Sequence, residues 1–220
     1  MYDDADACEA TAGLGDFEFE RKFLLRELPA AAASDPSPTL IVQAYVFADD
    51  GFAVRVRISG PVDSIDLDAP PRRLAQTLTE RPDSLGTLGA KGPAVAGTRY
   101  EAERQIDALV AGSIAARSLA LIAKVRYSIW LGEDGWVVDR FLADNAPLLV
   151  GEVERARPVT DLAIPDFCVT EVSEDARFGN EYLAHHPFPA WADEFADEYR
   201  LLGPGFMQTL GENRFDGEPR

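Results

Sequence analysis

Cysteine is nearly absent from this chain: Cys8 and Cys168 are the two that occur among 220 residues. Two cysteines cannot build a disulfide framework, and they read as free thiols of a reducing compartment. Histidine is equally scarce, with only the adjacent His185 and His186. With no cysteine or further histidine near them, they read as a surface helix end and not as a zinc site. Positive charge is in deficit too: 21 Lys and Arg face 38 Asp and Glu, a net charge of −17. That balance lacks the basic footprint of a general nucleic-acid binder, although a local cluster can oppose the global field and hold a small anion. No apolar run approaches the roughly 18 residues of a membrane span. The stretch "MYDDADACEATAGLGD" has neither the basic region nor the apolar run of a signal peptide. The expectation is a cytoplasmic protein with no membrane partner, either monomer or homodimer.

What is present suffices for a folded domain: 46% of residues are hydrophobic and 10% aromatic. Residues 1–15 read as a disordered acidic tail. "FEFERKFLLREL" reads as a strand entering the Ala/Pro/Ser linker "PAAAASDPSP". "TLIVQAYVF" and "FAVRVRISG" form a hairpin with Asp50-Gly51 at its turn. Residues 60–88 carry prolines around one short helical stretch and read as an insertion. "GTRYEAERQID" alternates again, and a helix follows with Ile106, Leu109, Val110 and Ile114 at its spacing. "KVRYSIWLGEDGWVVDRFL" is a second hairpin, with Asp134-Gly135 expected at the turn and Trp130 and Trp136 as packing residues. "APLLVGEVERA" adds a strand, and short helices follow, of which "WADEFADEYRLL" is amphipathic with Trp191, Phe195, Tyr199 and Leu202 facing a core.

The strands share one peculiarity. In "FEFERKFLL", Glu18, Glu20 and Lys22 occupy every second position and so project from one face. The same period-two placement recurs for Arg55 and Arg57, Glu101 and Glu103, Lys124 and Arg126, and Glu152 and Glu154, while Asp139 sits in the otherwise apolar "WVVDRF". A sheet with one wet face accounts for any single pair. For the set, acids and bases are segregated onto different strands, and the opposite faces are apolar and need covering. A closed barrel with a charged interior and helices packed outside satisfies both conditions. Unpaired buried charge is costly, so such an interior must hold counter-charges, water, ions or ligand. Carboxylates suit Mg²⁺ or Mn²⁺, and lysines and arginines suit phosphate oxygens. By contrast, Asp66 and Asp68 in "IDLD" read as a solvated loop, and Cys168 as a buried strand residue.

"EFERK" resembles the Glu-x-Glu-x-Lys signature of the CYTH superfamily, the triphosphate tunnel metalloenzymes. "RVR", "LGAKG", "TRYEAE", "KVRY", "VVDRF", "GEVE" and "EVSEDARFGNEYLA" follow in order over residues 17 to about 184. The resemblance implies an α+β fold, a closed eight-stranded antiparallel β-tunnel with helices outside it. The tunnel domain is expected over residues 16–188, with 60–88 inserted and 189–220 a C-terminal helical extension. It implies metal-binding carboxylates at Glu18, Glu20, Asp139, Glu152 and Glu154. Triphosphate ligands are implied at Lys22, Arg55, Arg57, Lys91, Lys124 and Arg126, and the implied catalytic set is Glu18, Glu20, Lys22 and Glu103, with Glu101 beside it. Lys91 follows a longer segment than in compact bacterial members, and Asn180 and Tyr182 fall where members vary. The implied activity is metal-dependent hydrolysis of inorganic tripolyphosphate or a related small-molecule triphosphate, with Mg²⁺ or Mn²⁺ as cofactor. A class IV-type adenylate cyclase forming cyclic AMP and a non-catalytic polyphosphate-binding module are the alternatives.

Overall fold

A computed structural model describes residues 17–93, 98–155, 159–208 and 213–215; the side chains of residues 17, 18 and 98–100, and the whole of 1–15, lie outside that description. The chain is mixed α and β, built on one large antiparallel sheet. Its strands are β1 (Phe17–Leu25), β2 (Thr39–Asp49), β3 (Phe52–Pro61), β4 (Leu85–Lys91), β5 (Thr98–Ile106), β6 (Leu121–Leu131), β7 (Asp134–Phe141), β8 (Leu149–Arg155) and, after the two-residue β9 (Ala163–Ile164), β10 (Cys168–Glu171). The sheet order is β10-β1-β5-β4-β3-β2-β6-β7-β8, and β1 also pairs with β8. The sheet thus has nine strands where eight were expected. The ninth arises because β1 divides one edge: residues 17–19 pair with β5, and residues 23–25 pair with β10. Its other edge pairs Phe19–Leu24 with Val150–Arg155 of β8.

Both expected hairpins form. In the first, Asp50 and Gly51 take φ of 48° and 79°, the two positive values that a type I′ turn requires. The second turns at Gly132-Glu133, since β6 ends at Leu131 and β7 begins at Asp134. Gly132 takes φ 63°, a conformation glycine enters without a Cβ clash, and Asp134-Gly135 is thereby drawn into the strand. Strand β4 lies in part within the stretch read as an insertion. That stretch also forms helix α2 (Pro71–Thr79), after the four-residue α1 (Ala30–Ala33), and buries Leu74, Ala75 and Leu78.

Side chains alternate across the sheet, and one face is apolar. Leu40, Val42, Ala44, Val56, Ile58, Ala123 and Val125 pack beneath α2 and helix α3 (Ala108–Ala115). Helix α3 buries Ala111, Gly112 and Ala115, while Leu109 and Val110 face solvent. Of the four residues read at helical spacing, Ile106 and Ile114 pack on this core, whereas Leu109 and Val110 give way to small residues that let α3 approach α2. An ideal Cβ on Gly112 would stand 1.8 Å from the Thr79 hydroxyl. A second apolar layer joins Phe23, Leu25, Ile129, Trp136, Val138 and Val153 to Leu162, Ile164 and Cys168. Trp136 packs there as expected, whereas Trp130 stands 76% exposed near the turn. Helices α4 (Asn180–His185) and α5 (Ala192–Leu202) follow, with Trp191 buried, Phe195 partly covered and Leu202 exposed. The stretch expected as a helical extension also holds β11 (Arg214–Phe215), which pairs with β9. Asp66 and Asp68 lie exposed in a loop, as read.

Arg21, out of phase with the Glu18–Glu20–Lys22 series, points to the apolar face and is 1% exposed. Its guanidinium donates to both carboxylate oxygens of Glu171 at 2.9 and 2.7 Å, and to Asn213 Oδ1 at 2.8 Å. Glu171 also accepts from the Ser173 hydroxyl and the Met207 amide. The pair therefore fastens β1 and β10 to Met207 and Asn213. Removing one member of a buried pair strands the other, so Arg21→Met should lower stability in urea unfolding by about 3–5 kcal/mol. Arg21→Met/Glu171→Leu should recover most of that loss. A single-variant loss below about 1 kcal/mol, the range of exposed pairs, would show that the fastening is not needed.

Candidate functional site

The opposite face of the sheet carries the charge. Strand register sets Lys22 opposite Glu152, Glu20 opposite Glu154, Lys91 opposite Glu101 and Arg126 opposite Asp139. Arg55 and Arg57 of β3 lie opposite Tyr45 and Gln43 of β2. On its other side Arg55 faces Gly89, where an ideal Cβ would come within 3.1 Å of the guanidinium Nε. Glycine in the middle of β4 is thus where a bulky group approaches the backbone.

The ion pairs interlock. Lys22 Nζ stands 3.2 Å from both Glu20 Oε1 and Glu152 Oε1. Arg126 grips Asp139 with two nitrogens, at 2.8 and 2.7 Å, and reaches Glu152 at 3.1 Å. Lys124, fully buried, donates to Asp139 Oδ2 and lies 3.4 Å from Asn180 Oδ1 of α4. Arg55 and Lys91 both engage Glu101, and Arg55 lies 3.4 Å from Glu103. Arg57 has the loosest carboxylate contact of the six cations, 3.7 Å to Glu103. Its Nε and Nη2 instead donate to Gln43 Oε1, each at 3.4 Å, and Gln43 Nε2 donates to the Tyr45 hydroxyl at 2.7 Å.

Proton affinities follow this map. The Glu152 carboxylate, with burial adding to it, raises Glu20 above the ordinary carboxylate range against the pull of Lys22. Burial acts against Glu152 and Asp139, yet the cations around them win and both are lowered. Burial pushes the Lys124 ammonium down to about 8, against Asp139. Burial and then Arg55 lower Arg57 to about 10, and the same two causes lower Lys91. Burial would lower Lys22, but Glu152 and Glu20 hold it above the usual lysine value. Burial raises Glu154, with Glu101 adding to it, and burial pushes the Tyr45 phenol up to about 12.

The structure thus gathers Glu20, Lys22, Arg55, Arg57, Lys91, Glu101, Glu103, Lys124, Arg126, Asp139, Glu152 and Glu154 onto one face. The side chain of Glu18 lies outside the described residues; its backbone pairs with Arg99 of β5. Sequence reading missed Gln43 and Tyr45, whose signal was their period-two placement opposite Arg57 and Arg55. Among the described residues, no group of three or more Asp, Glu, His or Cys side chains is placed to hold a metal ion. Asp139 has both oxygens occupied by Arg126 and Lys124. Glu20 and Glu152 are a different case. They share Lys22 at 3.2 Å, and as hard oxygen donors they have the chemistry to accept a divalent cation.

The repulsion of Glu20 by Glu152 is measurable. Between the ordinary value of 4.5 and its raised folded value, Glu20 binds protons more readily folded than unfolded. Stability therefore falls as pH rises through that window, and the deficit is complete above it. Glu20→Gln should raise the thermal midpoint of the metal-free protein at pH 7 by about 2 °C, because a partly solvated charge pair contributes up to ~1 kcal/mol. At pH 4 the variant and the wild type should coincide. A lower midpoint at pH 7 would show that attraction to Lys22 outweighs repulsion by Glu152.

No family model matches the chain. It is 27% identical over 173 residues to a protein named inorganic triphosphatase from Acetivibrio thermocellus, an alignment covering 78% of this chain and 95% of that one. Among solved structures it is similar to the inorganic triphosphatase NE1496, with a TM-score of 0.50, 24% identity, and coverage of 76% of this chain and 93% of that one. Another structure of NE1496 gives a TM-score of 0.49 at 23% identity, covering 76% and 97%. At these identities the structural likeness speaks to fold alone: the chain shares the mixed α and β fold of NE1496, built on a large antiparallel sheet.

Proposed function

We propose, from the charged face of the sheet and the likeness to inorganic triphosphatases, that the chain is a metal-dependent triphosphatase of the triphosphate tunnel fold, acting on inorganic tripolyphosphate or a closely related triphosphate. In this reading β1, β5, β4, β3, β2, β6, β7 and β8 enclose a tunnel, with the β1–β8 pairing as its seam. The observation that carries the proposal is the single face on which Lys22, Arg55, Arg57, Lys91, Lys124 and Arg126 are gathered, each held against carboxylates or a neutral amide. Six cations on facing walls can engage a chain of three phosphates from several sides, and phosphoryl transfer needs mainly such positioning and charge neutralisation.

Glu20, Glu152 and Glu154, with Glu18 two residues before Glu20, have the donor chemistry for Mg²⁺ or Mn²⁺. When bound, such an ion supplies charge neutralisation at phosphate oxygens and acidifies coordinated water. The chain's own residues do the rest. Lys22 lies between Glu20 and Glu152 and can turn its ammonium to a phosphate oxygen without leaving them unpaired in bulk. Arg126 and Lys124 keep Asp139 ionised, so the wall they form holds its shape. A carboxylate of this face that the ion leaves free would take the proton of the attacking water. The protein acts in the compartment expected from its sequence, the cytoplasm.

Phosphate release from tripolyphosphate, with ATP in parallel, should appear with Mg²⁺ or Mn²⁺ and vanish in chelator. Lys22→Ala and Glu20→Ala should each lower kcat/KM by about 10²-fold or more, the cost of deleting one preorganised electrostatic group. Cyclic AMP and pyrophosphate from ATP, with tripolyphosphate untouched, would replace this reading by the cyclase. Tight binding without turnover would replace it by a binding module.

A further inference from the structure

In the "QAY" of β2, Gln43 and Tyr45 are neutral polar residues on the face that carries the charge. Gln43 is fully buried and Tyr45 nearly so, and register places them directly opposite Arg57 and Arg55. Buried amides and phenols are costly unless hydrogen-bonded, so their partners are informative. Arginine has donors only, so the Gln43 oxygen must face Arg57, as observed, and its amide nitrogen must face Tyr45. The Tyr45 oxygen therefore accepts at 2.7 Å, and its own O–H remains to donate elsewhere. The amide orientation follows from the chemistry of its two neighbours.

The consequence falls on Arg57. Every other cation of the site has a carboxylate oxygen within 3.2 Å. Arg57 has one at 3.7 Å, and across the sheet it faces Gln43 on one side and Thr87 on the other. A glutamate at position 43 would fit the same space and cancel the charge. Glutamine holds the guanidinium without cancelling it.

We propose that Gln43, braced by the Tyr45 hydroxyl, is a positioning residue: a neutral bracket that fixes Arg57 while leaving its charge for a phosphate group of the substrate. The proposal rests on the triphosphatase reading and assigns Arg57 the role of primary anion anchor. Gln43 acts through Arg57 and touches no reacting atom.

The test uses the full chain. Binding of inorganic tripolyphosphate is measured calorimetrically in chelator, and hydrolysis is measured separately with Mg²⁺. Arg57→Ala should weaken binding by about 50-fold, and Gln43→Leu by about 10-fold, the range for hydrogen bonds to a charged group. In the Arg57→Ala background, Gln43→Leu should change binding less than about twofold, since a residue acting through another has nothing left to act on. Gln43→Glu, of the same shape, should resemble Arg57→Ala. Tyr45→Phe removes one hydroxyl from the brace and, should Gln43→Leu fold poorly, gives the same readout: about three- to tenfold weaker binding with Arg57 present and none without it. Effects of Gln43 and Arg57 that multiply, or Gln43 variants that bind as the wild type does, would overturn the bracket while hydrolysis by the wild type upheld the triphosphatase. A wild type that neither binds nor hydrolyses tripolyphosphate would overturn both.

Discussion

Everything about the charged face depends on mutual compensation between its own acids and bases. A lysine or arginine taken out of water loses several kcal/mol of hydration, and six of them on one surface would not fold together unaided. Lys22 between Glu20 and Glu152, Arg126 and Lys124 sharing Asp139, and Arg55 and Lys91 sharing Glu101 are what make the arrangement tolerable. The same compensation sets the chemistry. Carboxylates that hold lysines and arginines are also where a hard cation can settle, and cations so held are within reach of an anion. The structure is therefore stable and receptive for one reason.

Compensation is uneven, and the unevenness is where function is to be read. Asp139 is saturated, with both oxygens engaged and no exposure. It is a structural anchor for Lys124 and Arg126. Glu20 is over-supplied with negative neighbours and keeps 39% of its side chain open to water. Arg57 is under-supplied. An acid with too much negative charge beside it and a base with too little lie on the same wall, which is the polarity a metal–phosphate complex would complete.

Much of this was legible in the sequence. Period-two charges on β-branched strands put acids and bases on one face, because strand side chains alternate regardless of what the strands pack against. Twelve of the charged positions named from sequence fall there. The remainder was hidden for specific reasons. Strand β4 is rich in glycine, which reads as loop, yet Gly89 is glycine because Arg55 needs the space. Gln43 and Tyr45 carry no charge and so did not join the pattern, although they share its period. Arg21 falls out of phase with the charged series, and its partner Glu171 is 150 residues away, beyond the reach of local pattern. The second turn lies two residues earlier than the Asp-Gly signal because Gly132 is equally able to turn the chain. Near α3 the spacing placed Ile106 and Ile114 on the core but not Leu109 and Val110, because close helix contact demands alanine and glycine.

The split edge of β1 has a consequence for how the chain reaches this state. The strand that carries Glu20 and Lys22 pairs along its length with β8 and at its end with β10, and its Arg21 closes on Glu171. None of those partners is local. During synthesis β1 must therefore wait, apolar on one face and charged on the other, until nearly all of the strands it borders have been made. Proteins dominated by such distant pairings fold slowly and expose strand edges meanwhile. In β1 the charged residues that serve the site also make it a poor template for aggregation, since charge along an exposed edge opposes strand addition.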